Sequence, residues 1–161
     1  MSLKYLKITS PDVNNGTGCR VTLWIPGCTH KCPFCHNSWT ADYNIGKPLD
    51  DAAKSLIFNI LSKPYIAGLT ISGGDPLDQS DEVLHELSKF LSGVKNRFPE
   101  KNIWMYTGYY YNDLKTNQLN VLKYCDVLVD GPFIKDLADP SLPFRGSSNQ
   151  SIIYLTNLKK T

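Results

Sequence analysis

Three of the five cysteines in this chain lie close together, with the spacing Cys-x3-Cys-x2-Cys. They are Cys28, Cys32 and Cys35, and the residues between them are Thr, His, Lys, Pro and Phe. Cysteine is usually buried as a small hydrophobe, whereas these neighbours favour a loop in which the sulfurs face a common centre. Thiolates at this density indicate a metal, a redox function or a disulfide.

The number of cysteines and the start of the chain argue against a disulfide. Five is an odd total, and residues Met1 to Lys7 lack the apolar core of a signal peptide. No apolar run in the sequence is long enough to span a bilayer. We therefore expect a cytoplasmic protein, in which thiols stay reduced, and we interpret the cysteines as a metal site.

Two kinds of metal centre fit three cysteines. An iron–sulfur cluster usually takes four thiolates, so three would leave one iron open to another ligand. Zinc would need a histidine, either His30 or His36, as its fourth ligand. Structural zinc sites commonly draw their ligands from two separated pairs, and the sequence has no second pair. The spacing favours iron–sulfur and leaves zinc as the alternative.

The overall composition is typical of one globular domain. The chain has 161 residues, of which 42% are hydrophobic and 20% charged, and its net charge is +2. We predict a single domain over residues 1–161, because this length suits one hydrophobic core. The net charge is too small to indicate binding to nucleic acid or to an anionic membrane surface.

Strand and helix patterns alternate along the sequence. Strands are predicted at 19–25, 66–71, 103–106, 127–129 and 152–155, with an edge strand or extended arm at 3–9. Helices are predicted at 49–62, 80–98 and 111–124, the last of them broken near position 116. The alternation indicates an α/β fold with a mainly parallel sheet. A closed eight-stranded barrel needs about 250 residues, so we predict an open partial (β/α) barrel.

Small and polar residues follow four of these strands. In chain order the segments are the cysteine loop, Ser72-Gly73-Gly74-Asp75, Thr107-Gly108 and Asp130-Gly131-Pro132. The ends of parallel strands share one edge of the sheet, and ligands bind at that edge. Gly73-Gly74 lacks the rest of a phosphate-loop or dinucleotide motif, so we interpret it as allowing close backbone approach to a ligand. Asp75 is a candidate acceptor for an ammonium group.

The cysteine spacing and the segment Ser72-Gly73-Gly74-Asp75-Pro76 together resemble the radical S-adenosylmethionine enzymes. Phe34, directly before the third cysteine, matches an aromatic position of that family. Two more segments resemble the subfamily that activates anaerobic ribonucleoside-triphosphate reductase, and they are Val129-Asp130-Gly131-Pro132-Phe133 and Phe144-Arg145-Gly146-Ser147-Ser148-Asn149-Gln150. The resemblance covers the chain from about residue 10 to about residue 155.

The resemblance implies a set of cofactors and a role for each candidate residue. The ligands of a 4Fe–4S cluster would be Cys28, Cys32 and Cys35, with S-adenosylmethionine chelating the open iron. The other cofactor contacts would come from Phe34, Ser72, Gly73, Gly74, Asp75, Thr107, Asp130 and Asn149. Within that set Ser72 to Asp75 would hold the methionyl ammonium, and Asp75 stands where many members carry Glu. Thr107 and Asp130 would contact the ribose or methionyl part, and Asn149 the adenosine.

The resemblance also implies a reaction and partners. One electron would cleave S-adenosylmethionine to methionine and a 5′-deoxyadenosyl radical, which takes a hydrogen from a glycine of the reductase. The implied partners are the reductase, a flavodoxin-like or similar one-electron donor, and a second copy in a homodimer. Because a small partial barrel cannot enclose its own mouth, a docked protein substrate would supply the missing wall.

Three other functions remain open at this point. The first is activation of another glycyl-radical enzyme, and the second is a radical reaction on a small molecule. Activases of other glycyl-radical enzymes often carry inserted ferredoxin-like cysteine pairs. This sequence has no such pairs, which favours activation of the reductase over activation of another glycyl-radical enzyme. The third alternative is a non-enzymatic, zinc-binding interaction module.

Overall fold

The computed structural model describes residues 2–32 and 38–156. Its strands are β1 (Lys4–Tyr5), β2 (Lys7–Asp12), β3 (Cys19–Ile25), β4 (Lys47–Pro48), β5 (Ile66–Gly73), β6 (Asn102–Tyr106), β7 (Val127–Asp130) and β8 (Ser151–Tyr154). Its α-helices are α1 (Asp51–Leu61), α2 (Asp81–Arg97) and α3 (Thr116–Leu122), and short 3-10 helices cover Ser38–Thr40, Tyr111–Asp113 and Lys135–Leu137. The predicted break in the third helix is confirmed, because the 3-10 turn ends before α3 begins.

Six of the strands form one mixed sheet in the order β2-β3-β5-β6-β7-β8. The four inner strands β3, β5, β6 and β7 run parallel, and β2 and β8 pair antiparallel at the two edges. This confirms an α/β fold with a mainly parallel sheet. The strand β8 is antiparallel because the segment after β7 returns to the same edge of the sheet, where Ser151 pairs with Asp130, without a helical crossover.

The two faces of the sheet are covered differently. Alternate residues of the inner strands, such as Leu23 and Ile71, join one apolar cluster with residues of the helices, such as Ile57 and Leu87. The opposite face carries a small cluster around Trp104, which packs against the loop before β8. Helices therefore cover one face, and loops cover the other. No helix in the described part of the chain combines the length and apolar composition that a bilayer span requires.

A buried arginine supports the face that lacks helices. Arg20 is fully buried, and its guanidinium donates hydrogen bonds to Thr70 Oγ1 at 2.7 Å and to the Leu69 carbonyl at 2.9 Å. A third bond reaches the carbonyl of Asn102, so the side chain joins β3, β5 and the start of β6. Burial lowers the pKa of Arg20 to about 10, which still leaves it charged at neutral pH. The sequence pattern did not single out this residue.

The first two helices begin after a side-chain cap, within two residues of the predicted starts. Asp50 accepts a hydrogen bond from the Ala53 amide at 2.9 Å at the start of α1. Ser80 accepts one from the Val83 amide at 3.3 Å at the start of α2. Both bonds satisfy an amide that has no acceptor within its own helix.

We expect Asp50→Ala to lower the free energy of unfolding by about 1 kcal/mol, because the Ala53 amide loses its acceptor. Asp50→Asn keeps a capping oxygen and should stay close to the native value. Urea unfolding of the two variants measures both effects. An equal loss of stability in the two variants would contradict the capping role.

Candidate metal centre

The carboxyl ends of the parallel strands β3, β5, β6 and β7 meet at one edge of the sheet, and a cavity of about 900 Å³ opens there. The predicted site residues that line this cavity are Cys28, Cys32, Ser72, Gly73, Gly74 and Thr107. Most of its other walls come from the turn after β7 and from the loop that precedes β8, and His30 also lines it. The structure thus brings together residues that are far apart in the sequence.

Cys28 and Cys32 are half-buried thiols that form no disulfide with another described residue. Burial raises the pKa of Cys28 to about 11, and the carboxylates of Asp75 and Asp78 add to the shift. Such a thiol stays protonated at neutral pH until a metal cation binds it. The predicted residues Phe34 and Cys35, and the alternative ligand His36, lie outside the described residues.

The Gly73-Gly74 pair brings the end of β5 against the end of β3. Gly73 has a φ of +113°, which other residues rarely adopt, and a Cβ on Gly74 would lie 2.4 Å from the carbonyl oxygen of Gly27. The Gly74 amide donates to the Ile25 carbonyl at 2.8 Å, and the Asp75 amide to the Gly27 carbonyl at 2.7 Å. We interpreted these glycines as allowing approach to a ligand. The structure shows a second reason why glycine is needed at these two positions. Their backbone lies in direct contact with the backbone that leads into the cysteine loop.

The carboxylate of Asp75 is only 1% exposed and accepts hydrogen bonds from four donors. Its Oδ2 accepts from His30 Nε2 at 2.5 Å, from Thr107 Oγ1 at 3.0 Å and from the Gly108 amide at 2.9 Å. Its Oδ1 accepts from the Leu77 amide at 2.9 Å. Asp75 therefore connects the cysteine loop with the ends of β5 and β6.

A second carboxylate, Asp78, also anchors the cysteine loop. Its Oδ2 accepts from the amide and the hydroxyl of Thr29 at 2.7 and 2.6 Å, and its Oδ1 from the hydroxyl of Tyr109 at 3.0 Å. Burial raises the pKa of Asp78, but the bonds from Thr29 and Tyr109 outweigh burial and lower it overall. Sequence reasoning missed Asp78, because a single aspartate after a glycine turn belongs to no recognisable motif.

His30 packs between these two carboxylates and an aromatic ring. Its hydrogen bond to Asp75 raises its pKa, while burial acts in the opposite direction. The ring of Tyr109 meets it edge-on, with 4.6 Å between the centroids. Three residues here, Cys28, His30 and Asp78, each offer one atom that could bind a metal, and these three atoms lie within 4.8 Å of one another. The sequence presented His30 only as an alternative zinc ligand and gave no sign of its pairing with Asp75.

Three of the predicted cofactor contacts lie near this edge without lining the cavity, and they are Asp75, Asp130 and Asn149. Asp130 accepts from the amides of Tyr111 and Ser151 at 2.9 and 3.0 Å. Asn149 donates through Nδ2 to the carbonyl of Pro132 at 2.8 Å, and its buried Oδ1 has no hydrogen-bond partner among the described residues. Both oxygens of Asp130, in contrast, accept hydrogen bonds within the fold.

Comparison with known proteins relates this site to a family. The sequence profile of the 4Fe-4S single cluster domain family matches residues 14–153. The anaerobic ribonucleoside-triphosphate reductase-activating protein of Haemophilus influenzae is 43% identical over 152 residues, which are 93% of this chain and 97% of that protein. The chain belongs to the family of anaerobic ribonucleoside-triphosphate reductase-activating proteins.

Two further activating proteins support this membership. The activating protein of Enterobacteria phage T4 is 44% identical over 150 residues, which are 93% of each chain. That of Escherichia coli K12 is 39% identical over 155 residues, which are 95% of this chain and 99% of that protein. The predicted subfamily is confirmed. The iron–sulfur interpretation is supported over zinc, because the region matched by the 4Fe-4S single cluster domain includes positions 28, 32 and 35.

Proposed function

We propose that this protein is an iron–sulfur activase that generates a glycyl radical on anaerobic ribonucleoside-triphosphate reductase. The observation that carries the proposal is the position of two free thiols, Cys28 and Cys32, in the same cavity as the ends of β5 and β6. When bound, a 4Fe–4S cluster and S-adenosylmethionine supply a 5′-deoxyadenosyl radical that removes a hydrogen atom from a glycine of the reductase. The names of relatives that are 39–44% identical support this assignment.

The residues at the cavity suit these cofactors. Cys28, Cys32 and Cys35 would hold the cluster, and Phe34 would lie beside it. A volume of about 900 Å³ falls within the range of about 300–1,000 Å³ that is usual for small-molecule sites. S-adenosylmethionine would lie along the strand ends, where the cavity is lined by Ser72, Gly73, Gly74 and Thr107.

The remaining predicted contacts would act from the side of the cavity near β7. Asn149 would contact the adenosine after its side chain turns toward the cavity, because its Oδ1 is buried in this structure and has no hydrogen-bond partner among the described residues. Asp130 would act through the backbone that it fixes, since it holds the amides of Tyr111 and Ser151. Asp75 would also act through the groups that it fixes, which include the amides of Leu77 and Gly108.

The rest of the proposal concerns the architecture, the partners and the location of the protein. Helices on one face and a cavity at the carboxyl edge are consistent with an open partial barrel, formed by residues 1–161 as one domain. The reductase would cover the open cavity and exclude water from the reacting atoms. A flavodoxin-like or similar donor would supply the electron, in the cytoplasm, and two copies of the chain would form a homodimer.

Electron paramagnetic resonance tests the function directly. Anaerobic incubation of the protein with dithionite, S-adenosylmethionine and the reductase should produce the doublet of a glycyl radical. A parallel reaction with a different glycyl-radical enzyme tests which substrate is preferred. A brown protein rich in iron and sulfide is expected. A colourless protein with one equivalent of zinc and no doublet would contradict the proposal and favour the zinc-binding module.

A further inference from the structure

Hydrogen bonds from the protein already occupy most of the carboxylate of Asp75. A carboxylate offers about four lone-pair sites, two on each oxygen, and Asp75 accepts three hydrogen bonds at Oδ2 and one at Oδ1. Its side chain is 1% exposed, so a ligand amine does not reach it without breaking these bonds. This arrangement differs from the expectation that Asp75 holds the methionyl ammonium.

The bonds to Asp75 join parts of the chain that carry different portions of the site. His30 lies in the cysteine loop, midway between Cys28 and Cys32. Its partner Asp75 is 45 residues further along the chain, directly after β5. The same oxygen of Asp75 also accepts from Thr107 and Gly108 at the end of β6.

Close packing fixes the imidazole of His30 at this junction. A Cβ added to Gly108 would lie 2.6 Å from the His30 ring, so the ring rests directly on the backbone after β6. Tyr109 contacts the ring edge-on, and its hydroxyl is held by Asp78. The ring is 17% exposed, which leaves its bond to Asp75 largely shielded from water.

We propose that His30 and Asp75 are a positioning pair, which sets the cysteine loop at a fixed distance and orientation from the S-adenosylmethionine site. Neither residue binds the methionyl ammonium. This inference rests on the proposed function, since it concerns the same site. The wall formed by Ser72, Gly73 and Gly74 stays adjacent to the cofactor, whereas Asp75 acts through His30.

Two substitutions of His30 separate the hydrogen bond from the bulk of the side chain. In His30→Gln the amide nitrogen takes the place of Nε2 and still donates to Asp75. In His30→Leu a side chain of similar size has no donor. Both variants are prepared anaerobically with their cluster, and the affinity for S-adenosylmethionine is measured from its effect on the paramagnetic resonance spectrum of the reduced cluster.

We expect His30→Leu to bind S-adenosylmethionine about tenfold more weakly and His30→Gln to stay within about threefold of the native protein. The spectrum of the reduced cluster without S-adenosylmethionine should also change in His30→Leu and stay native-like in His30→Gln. A cluster lost from His30→Leu but retained in His30→Gln would support the same conclusion, because the two variants differ in the donor.

Direct binding of the ammonium by Asp75 predicts the opposite result. Removing the His30 donor would then free Oδ2 of Asp75, and His30→Leu would bind S-adenosylmethionine as well as the native protein or more tightly. That result, or equal losses in both variants, would overturn the inference. A native protein that binds no S-adenosylmethionine would instead count against the proposed function, so the two failures are distinguishable.

Discussion

Replacing Cys32 by Ser is expected to remove the iron–sulfur cluster and to reduce formation of the glycyl radical by more than about 100-fold. Mutations that disturb only the supporting contacts of a metal ligand already cost about 10- to 100-fold. A neutral hydroxyl is also a much poorer ligand for a cluster than a soft thiolate. Iron and sulfide content, followed by the intensity of the glycyl doublet, measure the two effects.

Cys19→Ala is the matched control for this substitution. Cys19 is a free cysteine at the start of β3, the end of the strand opposite to the cavity. The variant should therefore keep its iron and its activity. Full cluster content in Cys32→Ser would contradict the ligand assignment, and so would an equal loss of iron in both variants.

Gly74→Ala is expected to lower the free energy of unfolding by about 3 kcal/mol or more, which is the upper range for overpacking. The new Cβ would lie 2.4 Å from the carbonyl oxygen of Gly27 and 2.8 Å from its carbonyl carbon. Both are backbone atoms, so no side-chain rotation relieves the contact. The strand end leading into the cysteine loop has to move, and the variant should also retain less iron. Thermal or urea unfolding under anaerobic conditions measures the loss.

Gly93→Ala shows what the same substitution does where there is space. Gly93 lies within α2, and a Cβ there meets no atom within 4 Å. We expect this variant to be more stable than the native protein by about 1 kcal/mol, because alanine is the better helix former. If the two alanine variants showed the same stability, steric contact at Gly74 would not be the cause.

Local patterns in the sequence were sufficient for most of the secondary structure. The strand β3 has the predicted bounds, because its β-branched and aromatic residues end at Pro26-Gly27. Asp50 and Ser80 mark the starts of α1 and α2, because a cap depends on residues only three positions away. The alternation of strands and helices was in turn sufficient to predict that the inner strands run parallel.

Contacts between distant residues were not predictable in this way. The antiparallel direction of β8 depends on a return loop without periodicity, and the buried Arg20 depends on partners in β5 and β6. Neither leaves a repeating signal within a short window of sequence. The same holds for Asp78, whose hydrogen bond to Thr29 spans 49 residues.

The sequence by itself was sufficient to predict a metal site and a neighbouring ligand site, because three cysteines at Cys-x3-Cys-x2-Cys spacing and a glycine-rich strand end lie in its pattern. Only the tertiary structure decided how those parts are held. The parallel register places Ile25 beside Gly73, and this pairing brings Gly74 against Gly27 and Asp75 against His30. The sequence predicted Asp75 as a ligand contact. In the folded chain its buried carboxylate accepts four hydrogen bonds from the protein, because burial requires that a charged group be paired.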